Sequence, residues 1–225
     1  IQAEMFDLCK LVLDARLRTV LYYQVVLLIA ILLTMDCFDS TEGRRRRRRR
    51  RGMPELIIFN LDETIWPFKV DNKMKGPFNA TKVKNQVSDS FGKTFDLFPE
   101  VTKVFDDLER RFFDMGVISQ SPDIRKVESL MDSFNINKFF KLQEIFPGSK
   151  TEHIVKISKS TGVPFEEILY FDSNPKDIKE VGTYNVTTVL VGKDGITVKS
   201  VCKGLNTFNT TQMAKENLGS TTIKP

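Results

Sequence analysis

The chain has 225 residues, 41% of them hydrophobic, and a formal net charge of +5 at pH 7. Residues 1–52 hold eleven of its 34 basic and six of its 29 acidic side chains, which leaves 23 of each in residues 53–225. A domain so close to neutral lacks the basic face of a nucleic-acid binder. Its single cysteine, Cys202, excludes an internal disulfide framework and fits a reducing compartment.

In chain order, the leader 1–52 comes first. Val20 to Met35 runs sixteen residues without a charge, short of the ~20 apolar residues of an ordinary spanning helix. Arg16 and Arg18 precede it and Arg44 to Arg51 follow, so a span here would hold the downstream domain on the cytoplasmic side. Two other readings stand beside a membrane anchor. One is a basic localisation or nucleic-acid tail; the other is a translated purine-rich repeat that is no part of the native protein. Met53 sits directly before Pro54-Glu55 and the first strand. A compact cytoplasmic domain is expected to begin there, with membrane contact only through the leader.

Leu56-Ile57-Ile58-Phe59 predicts a buried strand that ends at Asn60. From Pro67 to about Lys93 the chain is polar with little periodicity, and a loop is expected. Val101, Val104, Phe105 and Leu108 then fall at helical spacing behind Pro99. A second strand follows at 115–119 and a helix at 122–134, with Ile124, Val127, Leu130 and Met131 on one stripe. The third strand lies within 140–146, and a helix runs from Lys150 to Gly162. The fourth strand is 167–171, followed by a short helix at 174–182. The fifth strand is 187–191 and the last helix 197–205. The phosphate-handling domain is expected to close at 208, leaving a polar, fraying tail at 209–225. Strands alternating with helices in this way predict an α/β fold, a mostly parallel Rossmann-like sheet flanked by helices.

In such sheets ligands bind beyond the carboxyl ends of the strands. That selects Asn60–Thr64, Ser119–Ser121, the loop 148–150 and Asp172–Asp177. Asp62 suits a general acid and base. Ser119 offers a hydroxyl beside backbone N–H groups near a helix start, and Lys150 a point charge at a helix N-terminus. Asp172 is a hard oxygen ligand suited to Mg²⁺. Each residue alone is as easily a turn, cap or solvated surface group. Four of them, in order and all at strand exits, form a phosphate-handling constellation.

The stretches "FNLDETIWPFKVD" (59–71), "LFPEV" (97–101), "EIFPGSK" (144–150) and "TGVPFEEILYFDS" (161–173) resemble the haloacid-dehalogenase-type phosphatases, specifically the eukaryotic magnesium-dependent phosphatases. The resemblance spans about 54–208. It implies a minimal cap, Mg²⁺ dependence, an aspartyl-phosphate intermediate, and phosphotyrosine-containing proteins or phosphorylated sugar adducts as substrates. Carried over, the catalytic residues are Asn60 at the nucleophile position, Asp62 as acid and base, and Lys150. Ser119, Gln120 and Lys150 bind phosphate. Asn60, the Asp62 carbonyl and Asp172 hold the metal. The expected partner is a phosphorylated small molecule or a phosphoprotein, not a nucleic acid.

Two positions depart from that pattern. Asn60 stands where the family has aspartate, and Ser173 where it has a second acid, a loss that Asp177 covers only in part. An amide oxygen is a weak, uncharged nucleophile. Loss of the nucleophile in another covalent hydrolase lowers turnover by about 10⁶, or ~8 kcal/mol of barrier. Three readings stay open: a pseudophosphatase that binds phosphorylated ligands, slow hydrolysis by water with Asp62 as base, or an aspartate altered in the record. His153, the only histidine, is assigned no role, and Trp66 is expected to pack in the core or loop. Asn79, Asn185 and Asn209 head glycosylation patterns that matter only in a lumenal domain.

Overall fold

The computed structural model describes residues 52–220. The candidate membrane stretch 20–35, the arginine run 44–51 and the final residues of the expected tail lie outside them. Among the described residues no helix is long and apolar enough to cross a membrane.

The apolar run at 56–59 forms the middle of a sheet. Strand β1 (Leu56–Asn60) is buried along its whole length. It pairs in parallel with β5 (Asp114–Ser119) on one side and β7 (Ile168–Asp172) on the other. The outer strands are β6 (Leu142–Ile145) and β8 (Thr187–Leu190), so the order is β6-β5-β1-β7-β8. A parallel sheet covered on both faces needs continuous apolar strands, and the alternating side chains then fill two separate cores. Ile57, Phe59, Leu169 and Phe171 face one of them, while Leu56, Ile58, Ile168 and Tyr170 face the other. Phe59 stacks on Phe171 with centroids 5.2 Å apart and meets Phe105 edge-on at 5.3 Å.

Helix α1 (Val101–Arg110) buries the predicted stripe Val101, Val104, Phe105 and Leu108. Helix α2 (Ile124–Ser133) buries Val127, Leu130 and Met131, but Ile124, expected on the same stripe, is 42% exposed at the first turn. Helix α3 (Lys150–Thr161) ends at Gly162, whose φ of 71° is the left-handed conformation that a side chain would resist. Helix α4 (Pro175–Gly182) begins behind the Asn174 cap. α3 and α4 cover the Ile58 face through Ile154, Ile157 and Val181.

Two expectations are corrected. The polar stretch read as a loop contains a small antiparallel sheet: β2 (Asn79–Ala80), β3 (Gln86–Ser88) and β4 (Thr94–Asp96). Val87 and Phe95 pair across it and point into the core. The Phe98 N–H donates to the Ile65 carbonyl at 3.1 Å and closes the base of this insertion. Ser133 Oγ and Lys126 Nζ tie it to α2 by donating to the Phe78 and Asp71 carbonyls, at 2.9 and 3.0 Å. The last helix does not end at Leu205: α5 (Val198–Ser220) continues through residues expected to fray.

α5 crosses the sheet closely at Gly204. A Cβ there would lie 2.7 Å from Phe171 Cζ and 3.0 Å from Val189 Cγ2. Gly204→Val is therefore expected to lower stability by about 1–3 kcal/mol, the usual result of overfilling a packed core, as read by urea denaturation.

Candidate active site

The carboxyl ends of β1, β5 and β7 and the N-terminus of α3 meet at one place, where Asn60, Ser119, Asp172 and Lys150 are all buried. Asn60 ends β1, Ser119 ends β5 and Asp172 ends β7. Lys150 is the first residue of α3, directly after the Ser149 cap of that helix. Ser149 Oγ accepts from the Glu152 N–H at 3.2 Å, and Glu152 Oε2 accepts from the Ser149 N–H at 2.7 Å. This reciprocal box fixes where the helix starts. Ser149→Ala is expected to cost about 1 kcal/mol of unfolding free energy, measured by chemical denaturation.

The Asn60 carboxamide sits between opposite kinds of partner. Lys150 Nζ donates to Asn60 Oδ1 at 2.5 Å. On its other side Asn60 Nδ2 donates to Asp172 Oδ1 at 3.2 Å and to the Asp62 carbonyl at 2.8 Å. Asp172, fully buried, also accepts from the Asn174 N–H at 3.0 Å and from the Tyr170 hydroxyl. The Asp62 side chain is half-buried, and its Oδ1 accepts from Trp66 Nε1 at 2.9 Å. Trp66 thus packs as expected, fully buried and stacked on Phe68, and also orients Asp62.

Burial pushes the Asp62 and Asp172 carboxyls up from their ordinary values. The Trp66 N–H and Lys150 pull the first down, and the Tyr170 hydroxyl and Lys150 the second. Burial likewise holds the Lys150 amine below its usual value, against the attraction of Asp172, Asp177 and Asp62. The desolvated Lys150 amine is the group that gains from an anion bringing negative charge to it.

Gln120 is exposed, and its side chain donates to the Gly148 carbonyl at 2.6 Å, linking two strand exits. Ser119 Oγ accepts from the Ser121 N–H at 3.2 Å. Asp177, buried on α4, accepts from Asn174 Nδ2 at 3.0 Å. The Ser173 N–H donates to Thr64 Oγ1 at 3.2 Å. Three partners were not anticipated. Tyr170 was legible, since it lies two residues from Asp172 on one strand and so on the same face. Thr64 lies in the selected strand exit 60–64, but its partner Ser173 is 109 residues away, and the link from His153 to Ser119 crosses 34.

Two oxygens, the Asp62 carbonyl and Asp172 Oδ1, converge on the Asn60 amide nitrogen, where a cation would otherwise meet them. They are hard donors suited to magnesium, and Asn60 Oδ1 joins them if the carboxamide turns over. The turn would set Nδ2 against Lys150, donor against donor. A carboxylate at position 60 would offer one oxygen to Lys150 and another to a cation; the amide has a single oxygen for the two. Among the described residues no three His, Cys, Asp or Glu side chains are grouped as a metal site. The oxygen set thus fits a magnesium ion, but only with a single carboxylate and in competition with Lys150.

Residues 52–211 match the Acid Phosphatase family. Human magnesium-dependent phosphatase 1 is 31% identical over 156 residues, covering 69% of this chain and 88% of the relative. A HAD-like hydrolase superfamily protein of Schizosaccharomyces pombe is 23% identical over 161 residues, covering 67% of this chain and 93% of that one. Among solved structures, the phosphatase-containing N-terminal part of a Bacteroides fragilis protein, complexed with Mg, aligns with a TM-score of 0.49 at 18% identity. That alignment covers 69% of this chain and spans 40% of the other.

Proposed function

The chain belongs to the acid phosphatase family, and we propose that it recognises phosphomonoesters while the covalent hydrolytic step is suppressed by Asn60. The observation that carries this is the carboxamide held on both sides, by Lys150 at Oδ1 and by Asp172 and the Asp62 carbonyl at Nδ2. The groups that hold a phosphate remain. Lys150 supplies charge, Ser119 a hydroxyl, and the loop after β5 backbone N–H groups near the start of α2. Gln120 is retained as a further phosphate contact, reached when its side chain leaves the Gly148 carbonyl. Asp62 remains in place to exchange a proton with a leaving oxygen.

Magnesium is the proposed cofactor. The residues that would hold it are Asp172, the Asp62 carbonyl and Asn60 Oδ1, and a bound ion supplies charge neutralisation of phosphoryl oxygens. The proposed ligand is a phosphorylated small molecule or a phosphorylated protein side chain, with phosphotyrosine and phosphorylated sugar adducts as the classes to try first. The near-neutral charge of residues 53–225 supports neither RNA nor DNA as partner.

The test is calorimetric titration of the chain with phenyl phosphate, with and without Mg²⁺, beside a hydrolysis assay on the same preparation. Saturable binding with hydrolysis near background is expected. Hydrolysis at a rate typical of phosphatases, by the chain with Asn60 intact, would overturn the reading.

A further inference from the structure

His153 takes no part in the chemistry above, yet it is completely buried beside the site. Its ring nitrogens face only carbonyl oxygens. Nδ1 lies 2.6 Å from the Ser149 carbonyl, and Nε2 lies 3.0 Å from both the Ser119 and the Phe146 carbonyls. The ring stacks on Phe146 with centroids 3.9 Å apart and planes 14° from parallel. The end of β5, 34 residues away, therefore meets the residue after β6 and the cap of α3 on one imidazole.

Resting on the phosphate-binding reading above, we propose that His153 is the positioning residue that locks the Ser119 loop to the N-terminus of α3, so that Ser119 and Lys150 face the same phosphate. Ser119 and Ser149 are bonded through their backbone carbonyls, which fixes the main chain and leaves the Ser119 hydroxyl and the Lys150 side chain free to point into the site. A histidine suits the place for two reasons. Its flat faces stack on an aromatic neighbour, and its two nitrogens diverge toward carbonyls on opposite sides. The side chain of Gln120, on the Gly148 carbonyl, is a second and exposed tie between the same loops.

The experiment uses the full chain, inorganic phosphate as probe, and three forms: unaltered, His153→Phe and His153→Gln. Calorimetry reads phosphate affinity and thermal melting reads folding. His153→Phe keeps the stack and removes every ring N–H, and should bind phosphate at least tenfold more weakly, equivalent to about 1.4 kcal/mol. His153→Gln restores amide donors and should recover part of the loss, which a mere packing role would not predict. Equal phosphate affinity in the unaltered chain and a folded His153→Phe form would overturn the proposal. Should the Phe form not fold, ¹⁵N NMR of the unaltered chain decides. The chain has one histidine, so its ring signals need no assignment. They should shift when phosphate binds; unmoved signals would refute the role. If the unaltered chain takes up no phosphate, the phosphate-binding reading itself fails, and this inference with it.

Discussion

Asn60→Asp is expected to raise turnover of para-nitrophenyl phosphate in the presence of Mg²⁺ by up to about 10⁶, the scale on which a covalent hydrolase loses activity with its nucleophile. That factor corresponds to ~8 kcal/mol of barrier. The reason is the number of acceptors as much as nucleophilicity. The amide has one oxygen, held by Lys150 at 2.5 Å, and turns its nitrogen to Asp172 Oδ1 at 3.2 Å. A carboxylate places an oxygen on each side. It also sets two anionic groups close together beside the Asp62 carbonyl, an arrangement that calls for a cation. Magnesium should therefore raise the melting temperature of the Asn60→Asp form more than that of the unaltered chain, by the mass action of a ligand that binds only the folded state. Equal turnover by the two forms would show that position 60 is not where the nucleophile belongs.

Lys150→Met should weaken inorganic phosphate binding by about 30- to 150-fold, or ~2–3 kcal/mol, the upper range for a buried hydrogen bond to a charged group. The Lys150 side chain is almost wholly buried, and its amine is kept below its usual proton affinity by that burial. A phosphate dianion reverses this by supplying the counter-charge that solvent cannot. Methionine has a similar length and no charge, so the hydrophobic path of the side chain is retained. Lys150→Arg is expected not to rescue, because a planar fork does not fit where a point charge ends a buried stem. The measurement is calorimetry with a melting curve for each form. Undiminished phosphate affinity in a folded Lys150→Met form would remove Lys150 from the binding site.

Much of the fold was legible because burial and periodicity coincide. β1 is buried at every residue, and α1 buries the four positions its spacing singled out. The small sheet was not legible because its strands have only two or three residues, and alternation cannot be recognised over so few. Only Val87 and Phe95 carry an inward signal. The continuation of α5 beyond Leu205 was hidden by its composition. After Phe208 the residues are mostly polar, so no apolar stripe marks a helix, and propensity extends it. At the site, Asn60, Ser119, Lys150 and Asp172 could be placed together because strand exits in a parallel sheet share one edge. His153 could not, since its tie to the Ser119 carbonyl crosses 34 residues and no spacing along the chain reveals it.

The hydrogen bond from the Phe98 N–H to the Ile65 carbonyl brings the two ends of segment 66–97 together at its root. A segment closed at its root behaves as a graft. Doubling its length adds only about 0.6 kcal/mol of loop entropy, and the junction itself need not move. Position 60 lies before this graft, and positions 119, 150 and 172 lie after it. Evolution or an engineer could therefore vary the exposed turns of the segment, keeping Trp66 on Asp62 and Val87 and Phe95 in the core, while the residues proposed to hold the phosphoryl group stay where the parallel sheet sets them.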